Sequence, residues 1–278
     1  MPFTLIKGTF HVVGYSPDGD SIRFQATDNQ LWERLSGPPV TLNGRGHAQL
    51  RLEGIDTLET HYMNSHQPLE YALAALSSLM VDFGIVNVIW NASHTMVTSA
   101  SDGTDGYILS RQVETNHRPV AFAFSGTTEQ DDGSQIFLDE NLLEESVNYR
   151  QLAAGMAYPT YYKGLFPDLR NTLTAAVQNA RSAGFALWPS DRTQIGAEIH
   201  GQQSIEEDHV VLPKLFRRLT EHLEGGGAIA GFQQFLESKQ EGIWIIPTAH
   251  ATHFDTVVEV DGLTVRLNAP PEDIIFEA

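Results

Sequence analysis

Apolar and polar positions alternate over Thr9–Tyr15 and again over Ser21–Gln25, which predicts two strands joined by the turn Pro17-Asp18-Gly19-Asp20. Gln49–Ile55 is a third predicted strand, with Leu50, Leu52 and Ile55 apolar. Residues 28–47 carry Gly37-Pro38-Pro39 and Asn43-Gly44 and read as an extended loop. The period then lengthens. Pro68 opens a helix with Leu69, Ala72, Leu73, Leu76 and Met80 on one face, and Gly84 stops it. Strands are predicted at Ile85–Trp90, Tyr107–Gln112 and Val120–Phe124, and helices at Glu140–Ala154 and Asp168–Ala183. The order of strands, helix, strands and helices predicts an α+β fold, with a small antiparallel sheet curled into a barrel and helices packed on it.

Composition turns polar over Pro189–Gln203, so the expected division is one domain over 1–192 and an accessory α+β region over 193–278. In the second region Glu206–Leu223 and Ala228–Ser238 read as helices separated by Gly225-Gly226-Gly227. Gly242–Pro247, Phe254–Val260 and Leu263–Asn268 read as strands, the last two joined at Asp261-Gly262. Phe232, Phe235 and Leu236 are expected to form a core, a self-association face being the other use. Lys214, Arg217 and Arg218 are the only basic cluster of this region and read as a solvated helix face, contact with nucleic acid being the other use; the acidic remainder reads as a packing or protein-binding appendage.

The 278 residues hold no cysteine, which excludes disulfides, cysteine nucleophiles and thiolate zinc sites. No apolar run reaches bilayer length, so no membrane partner is expected. No charged leader with an apolar stretch is seen, and the expected location is the cytoplasm. A formal charge of −18 argues against broad electrostatic capture of nucleic acid, so phosphate chemistry must rest on a local site.

Two runs supply such a site. Asp18-Gly19-Asp20-Ser21 sets two carboxylates and a hydroxyl around a glycine turn, and Arg51-Leu52-Glu53-Gly54-Ile55-Asp56-Thr57-Leu58-Glu59 carries an arginine at its start and two carboxylates at its end. Carboxylates suit a hard divalent cation, and a planar guanidinium suits a phosphodiester. With Asn116-His117-Arg118-Pro119 through Phe124, Arg150 through Tyr158, and the closing Leu187-Trp188-Pro189, these runs resemble the staphylococcal nuclease family over about residues 6–192. The resemblance implies a five-stranded OB-fold barrel with packed helices and a nuclease, a Ca²⁺-dependent hydrolase of DNA or RNA phosphodiesters that leaves 3′-phosphate and 5′-hydroxyl ends. It implies Asp20, Asp56 and the carbonyl of Thr57 as ligands of Ca²⁺ or another divalent cation. Glu59 would hold or deprotonate the attacking water, and Arg51 and Arg118 would clamp the phosphate. Tyr158 and Tyr161 would flank the nucleotide, with single-stranded DNA or RNA as the favoured partner.

The chain departs from the family pattern in places. Leu58 stands where the family has proline, Asn116 where it has tyrosine, His117 where it has glycine, and Thr115 where a lysine is expected. The loop at 114–118 is therefore expected to take a different backbone. His61 and His66 read as loop histidines, and His250-Ala251-Thr252-His253 lacks an obvious third zinc ligand. The alternative is an OB-fold module that binds nucleic acid or protein with weak chemistry or none.

Overall fold

The computed structural model describes residues 2–277, in two units: 2–53 with 76–151, and 54–75 with 152–277. The boundary expected at 192 is not where the chain divides. Tyr161 and Tyr162 share a sheet with the C-terminal strand at Ile275 and Phe276 and group with it.

In the first unit five strands close into a barrel: β1 (Phe3–His11), β2 (Ser21–Ala26), β3 (Ala48–Leu52), β4 (Thr104–Val113) and β5 (Pro119–Ser125). The order is β2-β3-β5-β4-β1, and β1 pairs back to β2. All neighbours are antiparallel except β3 with β5, so the expected purely antiparallel barrel is mixed. This is the closed α+β barrel that the alternation predicts. Phe10, Ile22, Phe24, Leu50, Leu52, Ile108, Ala121 and Ala123 fill it. Gly8 and Gly106 face each other across β1 and β4. A Cβ on Gly8 would lie 2.1 Å from the Gln25 carbonyl oxygen, and one on Gly106 2.2 Å from the Phe10 ring, so only glycine lets the strands bend this tightly.

Glu53 is buried at the end of β3. Burial pushes its carboxyl above the usual value of 4.5, with Arg51 and Arg111 pulling the other way. A raised carboxyl in the folded state means stability is lost as pH climbs from the ordinary glutamate range through the folded value. Glu53→Gln is therefore expected to resist urea better than the parent at pH 7, with the two curves merging below pH 4.5. A gain that persists unchanged in acid would contradict this account.

Helix α1 (Leu69–Asp82) turns a different face inward than its sequence suggests. Ala72, Ala75, Leu76, Leu79 and Met80 are buried, whereas Leu69 and Leu73 are exposed. The helix expected over Glu140–Ala154 is two helices, α2 (Glu140–Glu145) and α3 (Val147–Ala153), because Ser146 leaves the helical backbone at ψ 149. The strand expected over Ile85–Trp90 shrinks to Ile89–Trp90.

In the second unit the short strand Ile55–Asp56 pairs with β6 (Tyr158–Pro159). Here β7 (Tyr161–Tyr162), α4 (Pro167–Ser182), β8 (Ala197–Glu198), α5 (Pro213–Glu224) and α6 (Phe232–Lys239) precede the C-terminal strands. Those strands are β9 (Gly242–Ile245), β10 (His250–His253), β11 (Val258–Asp261), β12 (Thr264–Leu267) and β13 (Ile274–Phe276). They form two sheets, β7-β13-β9-β10 and β8-β12-β11. The helix expected from Glu206 starts only at Pro213, whose missing N–H suits a first helical position. Phe232 and Leu236 are core residues as expected.

Candidate functional site

Gly54 ends β3's run and redirects the chain. Its φ is +80°, and a Cβ would lie 2.8 Å from the Leu173 side chain, so glycine alone makes this bend cheaply. The bend delivers Asp56 to the strand opposite Tyr158, where its carboxylate is buried. Beyond it, the loop 57–68 is fixed by Gln67. The Gln67 side-chain oxygen accepts from the Glu59 amide at 3.2 Å, and its amide nitrogen donates to the Val211 carbonyl at 2.8 Å. Leu58, where the family has proline, is fully buried, so packing supplies the rigidity that a ring would have given.

Asp56 and Glu59 converge on Arg217 of α5. The Arg217 guanidinium donates to both Asp56 oxygens, at 3.0 and 2.7 Å, and to Glu59 Oε1 at 2.5 Å. Its side chain is 19% exposed and that of Asp56 6%, so little solvent screens the cluster. Burial alone would lower the Arg217 pKa, but Asp56 and then Glu59 outweigh it and hold the guanidinium well above its usual value. The neighbouring cations are also paired. Arg218 bonds Glu221 at 2.6 Å and Glu241 at 3.0 Å, and Lys214 bonds Glu241. The face of α5 expected to be solvated is thus an ion-paired inner face. Helical periodicity could not reveal this, because Asp56, Glu59 and Glu241 lie outside the helix. Tyr62 closes the cluster by donating to Glu221 at 2.9 Å; burial and that bond push its phenol up to about 12.

The resemblance assigns Asp56 and the Thr57 carbonyl to a cation and Glu59 to the attacking water, and the oxygen donors found here fit that chemistry. Asp56 and Glu59 are hard oxygen donors aimed at one positive centre, and Thr57 Oγ1 beside them is buried without a hydrogen-bond partner. The same Asp56 oxygens are, however, both committed to Arg217.

Tyr158 and Tyr161 are fully buried, against the expectation that they flank a nucleotide. Tyr158 donates to Asp191 at 2.7 Å and packs on Trp188, and Tyr161 bonds Thr174 at 2.9 Å. Burial raises both phenols, Tyr158 with help from Asp191. Both rings belong to the core because their hydroxyls find partners inside it.

The barrel unit carries Asp20, Arg51 and Arg118. Ser21 pairs with Arg51 in register, and the Leu52 amide donates to the Asp20 carbonyl at 3.1 Å, so Asp20 and Arg51 sit at neighbouring positions of β2 and β3. Arg51 also faces Val120 of β5, two residues beyond Arg118. Arg118 Nε donates to Glu114 at 2.9 Å. Burial pushes the Glu114 carboxyl up, but the bond and charge of Arg118 prevail and hold it below its usual range.

No protein-family model matches this sequence, and no curated protein matches it. The barrel is compatible with an OB fold, and the resemblance to the nuclease family rests on the motifs alone.

The loop before Arg118 keeps the left-handed backbone that a glycine would supply, against expectation. His117 sits at φ +63°, and its ring is fixed to the Pro39 carbonyl at 2.8 Å. Left-handed backbone costs a non-glycine residue about 1–2 kcal/mol, and the ring's bond returns about 1 kcal/mol. His117→Gly is thus expected to be nearly neutral in urea unfolding, whereas His117→Val loses more than about 1 kcal/mol because it keeps the strain without the bond. Equal losses for the two variants would contradict this. His61 is exposed, and His66 contacts the carbonyl of Gln67. His250 and His253 lie on the edge strand β10.

Proposed function

We propose that this chain is a metal-dependent phosphodiesterase acting on single-stranded DNA or RNA, whose carboxylate pair is held by Arg217 in the state described here. The convergence of Asp56 and Glu59 on one positive centre, beside the unpartnered Thr57 hydroxyl, carries the reading. Asp56 and the Thr57 carbonyl would hold a divalent cation such as Ca²⁺, and it is the motif resemblance that adds Asp20 to the ligand set. That ion supplies polarisation of a phosphoryl oxygen and a more acidic bound water. Glu59 orients the attacking water and takes its proton. Arg51 and Arg118 bind phosphate oxygens and stabilise the charge that builds on them. Hydrolysis on this reading requires Arg217 to leave both carboxylates and Arg118 to leave Glu114. Products with 3′-phosphate and 5′-hydroxyl ends are expected.

A binding module without hydrolysis is the second reading, favoured by the closed pairings of Arg217 and Arg118. Purified protein incubated with labelled single-stranded DNA and RNA in millimolar Ca²⁺, with and without chelator, separates the two. Cleavage that chelator abolishes, and that Glu59→Gln and Arg51→Ala both suppress, supports the hydrolase. Tight binding with intact oligonucleotide at every Ca²⁺ concentration selects the module. Cleavage that survives both substitutions belongs to a contaminant and sinks the hydrolase.

A further inference from the structure

Strands β1, β2 and β3 turn a polar face away from the barrel core. Register places His11, Arg23 and Gln49 in one row across the sheet, with Ser21 and Arg51 in the next. The intervening residues Phe10, Ile22, Phe24 and Leu50 point inward and are buried. Arg51, the phosphate residue of the proposed hydrolase, therefore shares a face with Arg23.

Tyr15, in the turn after β1, sits at the end of this face under two guanidiniums. Arg23 lies 5.0 Å and Arg45 5.3 Å from its ring centroid. Neither arginine has a carboxylate within ion-pair distance among the described residues, although the chain carries a charge of −18 and pairs most of its other arginines. Both are nevertheless held in place. Arg45 donates to the Val13 carbonyl at 2.8 Å and passes over Gly14, where a Cβ would lie 2.9 Å from its nitrogens. The Tyr15 hydroxyl accepts from Asn43 at 2.8 Å and bonds His47 Nδ1 at 3.0 Å. His47 stacks on His11 with centroids 4.2 Å apart. The carboxylate of Asp102, near His47, is spent on His11 at 3.1 Å and on the Val12 amide at 2.6 Å.

The neighbouring cations are felt at His47. Burial chiefly, then His11, Arg45 and Arg23, lower the His47 pKa, and only Asp102 opposes them. Unneutralised guanidiniums beside a ring suit a ligand that alternates phosphates with flat bases. An acidic peptide would use the charges and leave the ring unused.

We infer that the Arg51–Arg23–Tyr15–Arg45 face is a binding track for single-stranded nucleic acid, with phosphates on the arginines and a base on Tyr15. The inference rests on the nucleic-acid reading of the function, and it names the path the strand takes across the barrel unit.

The test is fluorescence anisotropy of a labelled oligothymidylate with the full chain in chelator, where hydrolysis is silent, over a range of salt. Arg23→Gln with Arg45→Gln is expected to weaken binding at least about tenfold and to reduce the slope of log affinity against log salt by about 1.4, two phosphate contacts' worth. Tyr15→Phe should bind like the parent, whereas Tyr15→Leu should bind roughly 5- to 150-fold more weakly, the range of one lost base stack. Arg45→Gln alone alters an exposed side chain, and its loss of affinity and salt slope guards against a folding artefact of the double variant. Parent-like affinity and salt slope in the double variant overturn the track. So does inorganic phosphate that competes as well as the oligonucleotide at equal ionic strength. Cleavage in Ca²⁺ that still depends on Glu59 would leave the hydrolase standing while the track falls. Binding through Arg23 and Arg45 without cleavage at any Ca²⁺ concentration would do the reverse.

Discussion

Arg217→Gln is expected to cost the protein about 3–5 kcal/mol of stability at pH 7, because removing one partner of a buried ion cluster leaves charges that water cannot reach. Two carboxylates lose their counter-charge at once, Asp56 at both of its oxygens. The loss should be recoverable in two ways. Added Ca²⁺ should raise the variant's melting temperature far more than the parent's, since free ion at a hundred times its dissociation constant stabilises by about 2.7 kcal/mol. Combining Arg217→Met with Asp56→Asn and Glu59→Gln should restore most of the stability with no metal present, because a buried ion cluster replaced whole is often neutral. Under the hydrolase reading the glutamine variant should also reach half-maximal cleavage at a lower Ca²⁺ concentration than the parent. A variant that melts like the parent and ignores Ca²⁺ would show that Arg217 does not balance these carboxylates.

Glu59→Gln is expected to lower cleavage of single-stranded DNA by about 10²- to 10⁴-fold, the usual share of a positioned general base. The amide keeps the size of the side chain and can still accept from Arg217, so the fold should survive. The amide cannot take a proton from water at neutral pH. Oligonucleotide affinity in chelator should stay within about twofold of the parent, because the proposed track uses arginines and Tyr15 and not Glu59. A variant that cleaves at the parental rate would remove Glu59 from the chemistry. One that loses binding and cleavage together would point to misfolding, which its melting curve would show.

The barrel was legible because the end of β1, most of β2 and β3 alternate apolar and polar positions. Each of Phe10, Phe24 and Leu50 occupies an inward position that its neighbours' polarity already marks. Glycine turns and the proline at the head of α1 fixed several element limits. Pro213 was an equally plain signal, and reading a helix straight through it placed the start of α5 seven residues early. The carboxylates of the candidate site were legible as motifs, but their counter-ion was not. Arg217 is 161 residues from Asp56, and a charged residue on a helix reads the same whether it faces water or a buried acid. Tyr158 and Tyr161 misled for a related reason, since a tyrosine's polar tip is satisfied by a buried Asp191 or Thr174 as well as by a ligand. His117 shows the converse case, where the side chain departs from the pattern and the backbone does not.

The long separation between Asp56 and Arg217 also sets an order of events on the ribosome. Synthesis proceeds from the N-terminus, at roughly 5–20 residues per second, so the two acids emerge many seconds before the base that neutralises them. Until α5 is made, the nascent chain must keep Asp56 and Glu59 hydrated, and that segment cannot reach its final packing. Emergence of α5, not emergence of the barrel, is therefore the earliest moment at which the segment around Asp56 can reach its final packing.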